Sequence, residues 1–145
     1  MSFLKGKTAI ITGAGRAVLS DGRCGSIGYG IATAYAKEGA NLVITGRNVQ
    51  KLEAAKEELE RLYGVQVLIM QADVNAGADN EVVVGKVVAK TMEQFGRIDV
   101  LINNAQASAS GVPLAEHTTD QFNLAMYSGC LLYTSPSPRD VEESR

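Results

Sequence analysis

The chain has 145 residues, which suits one domain and leaves little room for two. Its 46% hydrophobic content is enough for a packed core, and a formal net charge of -2 gives neither nucleic acid nor an anionic membrane a reason to bind. No apolar stretch reaches the roughly 20 residues that span a bilayer, and the N-terminus lacks the basic-then-apolar plan of a secretory signal, so a cytoplasmic protein is expected.

Residues 8–12, TAIIT, read as the first strand, because Ala9, Ile10 and Ile11 run on without the alternation of a half-exposed sheet. The stretch TGAGRAVLSDGRCGSIGYG, 12–30, follows it, and from Ser26 the period becomes helical. Ile27, Ile31, Ala34 and Tyr35 are expected to share the buried face of that helix, with Gly39 stopping it. A second short strand is expected at 42–45. Leu52, Ala55, Leu59 and Leu62 then predict an amphipathic helix ending near Gly64. A third strand is expected at 65–70 and a polar turn at 73–79. A helix follows in which Val84, Val88, Thr91 and Phe95 share a face, stopped by Gly96, and a fourth strand at 98–102. Residues 105–111 read as loop. Thr118 with Gln121 makes a capping box for a further helix running to about Tyr127.

Short, continuous strands alternating with helices predict an α/β fold. The expectation is a doubly wound, Rossmann-like parallel sheet covered on both faces. From about residue 130 the character changes. Pro136 and Pro138 each remove a backbone donor, and CLLYTSPSPRDVEESR suits neither a buried strand nor a helix. The expected organisation is therefore 1–129 as the N-terminal part of the domain and 130–145 as a disordered or foreign tail. Cys24 and Cys130 lack metal-ligand spacing, and His117 is the only histidine, so ordinary thiols and no metal site are expected.

A strand, then glycines, then a helix start make an anion site. The first amides of a helix have no intrahelical acceptor, and the peptide dipoles add to the attraction. Gly13 and Gly15 fall at the strand exit, and Gly25, Gly28 and Gly30 at the helix entry, where glycine lets a pyrophosphate approach closely. The spacing is unusual, since RAVLSDGRC, 16–24, separates the two groups. At the end of the second strand Gly46 offers no carboxylate to a ribose. Arg47 offers a guanidinium fork to a 2′-phosphate or, on the blander reading, faces solvent. Arg16 and Arg23 either assist or are solvated. Asp73 either accepts from an adenine amino group or bonds its own turn. Asn103 and Asn104 follow the fourth strand, where loops line the ligand crevice and amides hold neighbouring backbone together.

These segments resemble the short-chain dehydrogenase/reductase family. The resemblance rests on TGAG at 12–15 completed by GSIGYG at 25–30, on ADV at 72–74, and on NNAQ at 103–106, and it extends from residue 5 to about 129. It implies that Gly15, Ser26, Ile27 and Gly28 hold the pyrophosphate, with Gly13 part of the same cofactor-binding loop. It further implies that Asp73 and Val74 contact adenine, that Asn103 and Ala105 line the ribose, and that Arg47 favours NADP over NAD. Ser26, Ile27 and YGIA at 29–32 also resemble the enoyl-reductase branch. Gln106 stands where the family has glycine, Gly129 where it has an asparagine of the proton relay, and no Tyr-x-x-x-Lys occurs anywhere in the sequence. The run LLYTSPSPRD resembles translated adapter sequence.

The resemblance thus implies a parent that is an NAD(P)-dependent oxidoreductase, moving a hydride to or from a carbonyl or alcohol, with this chain carrying the cofactor-binding half. Its partners would be a nicotinamide dinucleotide, a small-molecule substrate and, in the parent, further copies of itself. A non-catalytic dinucleotide-binding module and a structural fragment that pairs through an exposed strand remain open alternatives.

Overall fold

The structure, a computed structural model, describes residues 2–23, 25–73, 80–109 and 111–130, with residues 129 and 130 in backbone only. The chain divides into two compact units, 1–105 and 106–145. The first contains β1 (Thr8–Thr12), α1 (Ile27–Lys37), β2 (Asn41–Gly46), α2 (Val49–Tyr63), β3 (Val67–Gln71), α3 (Asn80–Phe95) and β4 (Val100–Ile102). The strands form one parallel sheet in the order β3-β2-β1-β4. The chain therefore winds outward from β1 to β3, then crosses back to lay β4 on the other side of β1. In open α/β sheets such a reversal, here at the carboxyl ends of β1 and β4, is where ligands bind.

The central strands are buried on both faces, as their unbroken apolar runs require. Ala9, Ile11, Leu42, Ile44 and Val67 pack with α1 and α2 on one face. Ile10 and Val43 pack with Val87 and Phe95 of α3 on the other. The expected doubly wound α/β architecture is thus the observed one.

The helices sit on the sheet somewhat differently from the simplest periodic reading. In α1 the buried residues are Gly28, Tyr29, Ala32 and Ala36, while Ile31 and Tyr35 lie half-buried at the flank and Ile27 and Ala34 are exposed. Small residues let this helix lie close on the sheet, and a count of large apolar side chains does not register them. In α2 Leu52, Ala55 and Leu59 are buried as expected, but Leu62 is exposed. In α3 the inner stripe is Val87 and Thr91 with Phe95, and Val84 and Val88 are exposed. The valine-rich start of α3 offers two adjacent stripes, and the sheet takes the one in step with Phe95.

Ends are set by local chemistry. Asn48 caps α2 by accepting from the Lys51 amide at 3.0 Å, and Gly64 closes it in the left-handed region at φ 67°. The third strand begins at Val67 rather than at residue 65, and the fourth at Val100 rather than at 98. Before β4, the Asp99 carboxylate accepts from the Thr8 amide at 2.8 Å and from Arg97, fixing the start of β4 beside the start of β1.

The second unit contains a short 3-10 turn at Leu114–Glu116 and α4 (Thr119–Ala125), continued by a π-helical turn at Met126–Cys130. The capping box is formed as the sequence suggests. Gln121 N donates to Thr118 Oγ1 at 3.2 Å, and Thr118 N to Gln121 Oε1 at 3.0 Å. The tail from 131, with Pro136 and Pro138, lies outside the described residues, as do Cys24 and Val74.

Candidate cofactor site

The strand ends are level. Thr12 pairs with Thr45, Ile11 with Ile102, and Gly46 with Gln71, so the four carboxyl ends open onto one surface. The loop leaving β1 is fastened to its neighbours by backbone. Ala14 N donates to Thr45 O at 3.1 Å, and Arg16 N to Lys51 O at 2.9 Å. The end of β3 is tied to that of β2 by Ala72 N to Gly46 O at 3.0 Å and by Gln71 Nε2 to Arg47 O at 3.0 Å.

The tightest joint lies between β1 and β4. Thr12 Oγ1 accepts from the amides of Asn104 at 3.0 Å and Ala105 at 2.9 Å, and its proton points to Ile102 O at 3.3 Å. Asn104 Nδ2 donates back to Thr12 O at 3.0 Å and Gly13 O at 3.2 Å. The amide expected to hold neighbouring backbone together is therefore Asn104. Asn103, directly after β4, is half-buried. Thr12 is the hub that the sequence reading passed over. Its signals are a hydroxyl at the last position of a buried strand and its place as the first residue of TGAG, neither of which assigns it a role.

Gly13 adopts φ 67°, in the left-handed region, and a Cβ there would lie 2.9 Å from Ala105 Cα. Gly28 is buried in the first turn of α1, where a Cβ would run into the Gly13 carbonyl oxygen and lie 2.6 Å from Asn104 Nδ2. A Cβ on Gly15 would lie 3.1 Å from Lys51 Cβ. These glycines bring the strand exit, the start of α1 and the start of α2 closer together than any side chain allows. Ser26 caps α1, its hydroxyl accepting from Tyr29 N at 3.3 Å, and Ile27 opens the helix with its side chain exposed.

Arg47 follows β2 directly, is exposed, and has no carboxylate partner among the described residues. Arg23 is exposed and paired with Asp21 within the insert. Arg16 is paired with Glu58 of α2 at 2.8 Å. Glu58 also accepts from the Tyr29 hydroxyl at 2.7 Å. Burial first, and then this bond to a carboxylate, push the Tyr29 phenol up to about 12. Asp73 lies exposed just past β3, on the strand-end surface, while Val74 falls outside the described residues. Of the expected site residues, Gly13, Gly15, Ser26, Ile27, Gly28, Arg47, Asp73, Asn103 and Ala105 all belong to this unit and follow strand ends or open α1.

These residues fit a dinucleotide. The helix start and its serine cap suit a diphosphate, glycines leave room where a Cβ would not, and Arg47 after β2 is exposed without a carboxylate partner among the described residues. In the second unit Gln106 is exposed, and His117 ends the 3-10 turn. The buried Ser128 hydroxyl there accepts from Ala107 N at 2.9 Å and lies 2.8 Å from Leu124 O. Among the described residues no group of three or more His, Cys, Asp or Glu could hold a metal, and no helix is long and apolar enough to cross a membrane.

Comparison with known proteins agrees with this geometry. The profile of the short chain dehydrogenase family matches residues 7–128. A 12alpha-hydroxysteroid dehydrogenase of Clostridium sp. is 60% identical over 129 residues, which make up 89% of this chain and 47% of that protein. An alcohol dehydrogenase from the archaeon Thermococcus sibiricus, solved with 5-hydroxy-NADP, superposes with a TM-score of 0.67 at 31% identity, over 84% of this chain and 46% of that one. An NAD+-bound xylitol dehydrogenase superposes with a TM-score of 0.70 at 28% identity, over 86% and 43%. The chain thus spans about half the length of these relatives.

Proposed function

The chain belongs to the short-chain dehydrogenase family, and from that premise we propose that its strand ends bind a nicotinamide dinucleotide, NADP(H) in preference to NAD(H). The observation that carries this reading is the joint at the switch point. Thr12, Gly13, Gly28 and Asn104 hold the glycine loop, the start of α1 and the end of β4 within hydrogen-bond reach of one another. In this reading Gly13, Gly15, Ser26, Ile27 and Gly28 present amides and space to the diphosphate. Asp73 and Val74 flank the adenine, and Asn103 and Ala105 flank the nicotinamide ribose.

The bound cofactor supplies or accepts a hydride, and the protein orients it and excludes competing chemistry. The activity proposed for the parent is oxidation of an alcohol or reduction of a carbonyl. The 60% identity to a 12alpha-hydroxysteroid dehydrogenase makes a hydroxysteroid the first substrate to try. The sequence contains no Tyr-x-x-x-Lys, so this chain is proposed to carry the cofactor-binding half of that activity, with residues 130–145 outside the domain.

Arg47 supports the preference for NADP(H). A charge-assisted bond to the 2′-phosphate contributes about 1.5–3 kcal/mol, or roughly 10- to 150-fold in affinity. Fluorescence titration at fixed salt should show Arg47→Ala weakening NADPH far more than NADH, with salt reducing the difference. Equal losses for both cofactors, or tighter NADH binding by the unmutated chain, would mean that Arg47 only faces solvent.

A further inference from the structure

The glycine motif is interrupted by an insert, and the structure shows what spans the gap. Described insert residues bond mainly among themselves. Leu19 N donates to Arg23 O at 2.8 Å, Gly22 N to Leu19 O at 2.9 Å, and Gly25 N to Ala17 O at 2.9 Å. Leu19 folds back onto Gly25, where a Cβ would lie 2.7 Å from its Cδ2. A self-contained insert of this kind does not by itself fix how the glycines before it sit against those after it.

One carboxylate reaches both sides. Glu58 Oε2 pairs with Arg16 Nε at 2.8 Å, at the first residue of the insert and next to Gly15. Glu58 Oε1 accepts from the Tyr29 hydroxyl at 2.7 Å, in the first turn of the helix that follows it. Arg16 is further held through its amide on Lys51 O. The Arg16 guanidinium is thereby committed to α2, and no carboxylate plays that part for Arg47 among the described residues.

We propose that Glu58 is a positioning residue that clamps the two flanks of the insert, so that Gly13 and Gly15 upstream and Ser26 to Gly28 downstream present a single diphosphate cradle. This rests on the dinucleotide reading given above. Because the clamp shapes the part of the site that NADP and NAD share, it acts equally on both cofactors, and the choice between them falls to Arg47 alone.

The test combines a readout that needs no cofactor with one that does. Arg23 sits at the exposed tip of the insert, its side chain 81% accessible, and offers a trypsin site. Glu58→Ala should speed cleavage after Arg23 several-fold while the far-ultraviolet circular dichroism stays unchanged. It should raise the dissociation constants of NADPH and NADH together, by about 5- to 10-fold. Glu58→Gln keeps an acceptor without the charge and should fall between. Arg16→Ala and Tyr29→Phe each remove one arm, and they decide the matter if Glu58→Ala does not fold.

Unchanged cleavage in all of these variants would overturn the clamp, whatever the chain binds. Faster cleavage or a lower melting temperature with unchanged dissociation constants would leave Glu58 a purely structural role and overturn the proposal. So would a loss confined to NADPH, since Arg16 and Glu58 would then be reading the 2′-phosphate. If the unmutated chain binds neither cofactor, the dinucleotide reading falls and the cradle function with it, and the cleavage rates still report whether the clamp exists.

Discussion

The two ends of the parallel sheet are closed by different chemistry. At the amino ends, Asp99 accepts from the Thr8 amide and from Arg97, and it faces Lys7 Nζ at 3.5 Å. Charge there is consumed in holding β4 to β1. At the carboxyl ends the same two strands are joined by neutral groups, the Thr12 hydroxyl, the Asn104 amide and backbone. Arg47, which follows β2, has no carboxylate partner among the described residues either. Parallel strands in an open α/β sheet place their crevice at the carboxyl ends. A charged lock at that end would compete with an anionic ligand, and a neutral one does not. Arg16 is the exception, and its partner Glu58 lies on α2, away from the strands.

The comparison breaks most visibly at Gly28. A valine there meets the Gly13 carbonyl and Asn104 Nδ2, so the helix start must move off the strand exit. Gly28→Val should abolish detectable binding of either cofactor and lower stability by about 1–3 kcal/mol, as overpacking does. Gly30 is the control. Nothing lies within 4 Å of a Cβ placed on it, and Gly30→Ala should be neutral in binding. It should stabilise α1 by roughly 0.5–1 kcal/mol. Titration and urea denaturation of the two variants read both quantities. If Gly28→Val binds as well as the unmutated chain, close approach is not what the glycine is for.

The neutral lock is tested next. Thr12→Val keeps the shape of the side chain and removes Oγ1, leaving the amides of Asn104 and Ala105 without their acceptor. Stranding a fully buried donor costs about 1–3 kcal/mol, and these half-buried amides fall at the lower end of that range. The urea midpoint should fall accordingly, and both cofactors should weaken as Asn103 and Ala105 shift. A stability loss with intact binding would show that the lock serves the sheet and not the crevice.

Sequence made the elements and their order legible, because the strand cores and α2 are long, strongly patterned runs. It also exposed the glycines at 13 and 28, since a strand, a gap and a helix start frame them. What it hid was of two kinds. The inner face of α1 is built from Gly28, Ala32 and Ala36, whose smallness fits the sheet but carries little hydrophobic signal. Glu58 sits on a polar stretch of α2 with nothing to distinguish it from Glu57 or Glu60, and its two partners are far away in sequence. Thr12 shows the same limit more mildly. A hydroxyl ending a strand is common, and only the arrival of β4 makes it a hub.

The smallest expected effect lies at the charged end, where Asp99 makes stability depend on pH. Its carboxyl is held at about 2, first by the Arg97 hydrogen bonds and then by the Thr8 amide, with the Arg97 and Lys7 charges adding to both. A folded value below the unfolded one, near 3.9, means that the carboxylate's contribution is fully present above about pH 4. It is then lost as pH falls from about 4 through about 2. The folding-linked share is less than the full shift, because Arg97 lies two residues away and can pair in the unfolded chain as well. The Thr8 bond joins strands distant in sequence and forms only on folding. Asp99→Asn should therefore lower the melting temperature slightly at pH 7 and flatten its decline between pH 4 and pH 2. Asp21 and Glu93 are also held low, by Arg23 and Lys90, but they titrate alike in both proteins, so the difference between the two curves isolates Asp99. Parallel curves would mean that the charged end adds nothing to closure. The contrast between the two ends of the sheet would then rest on the carboxyl end alone.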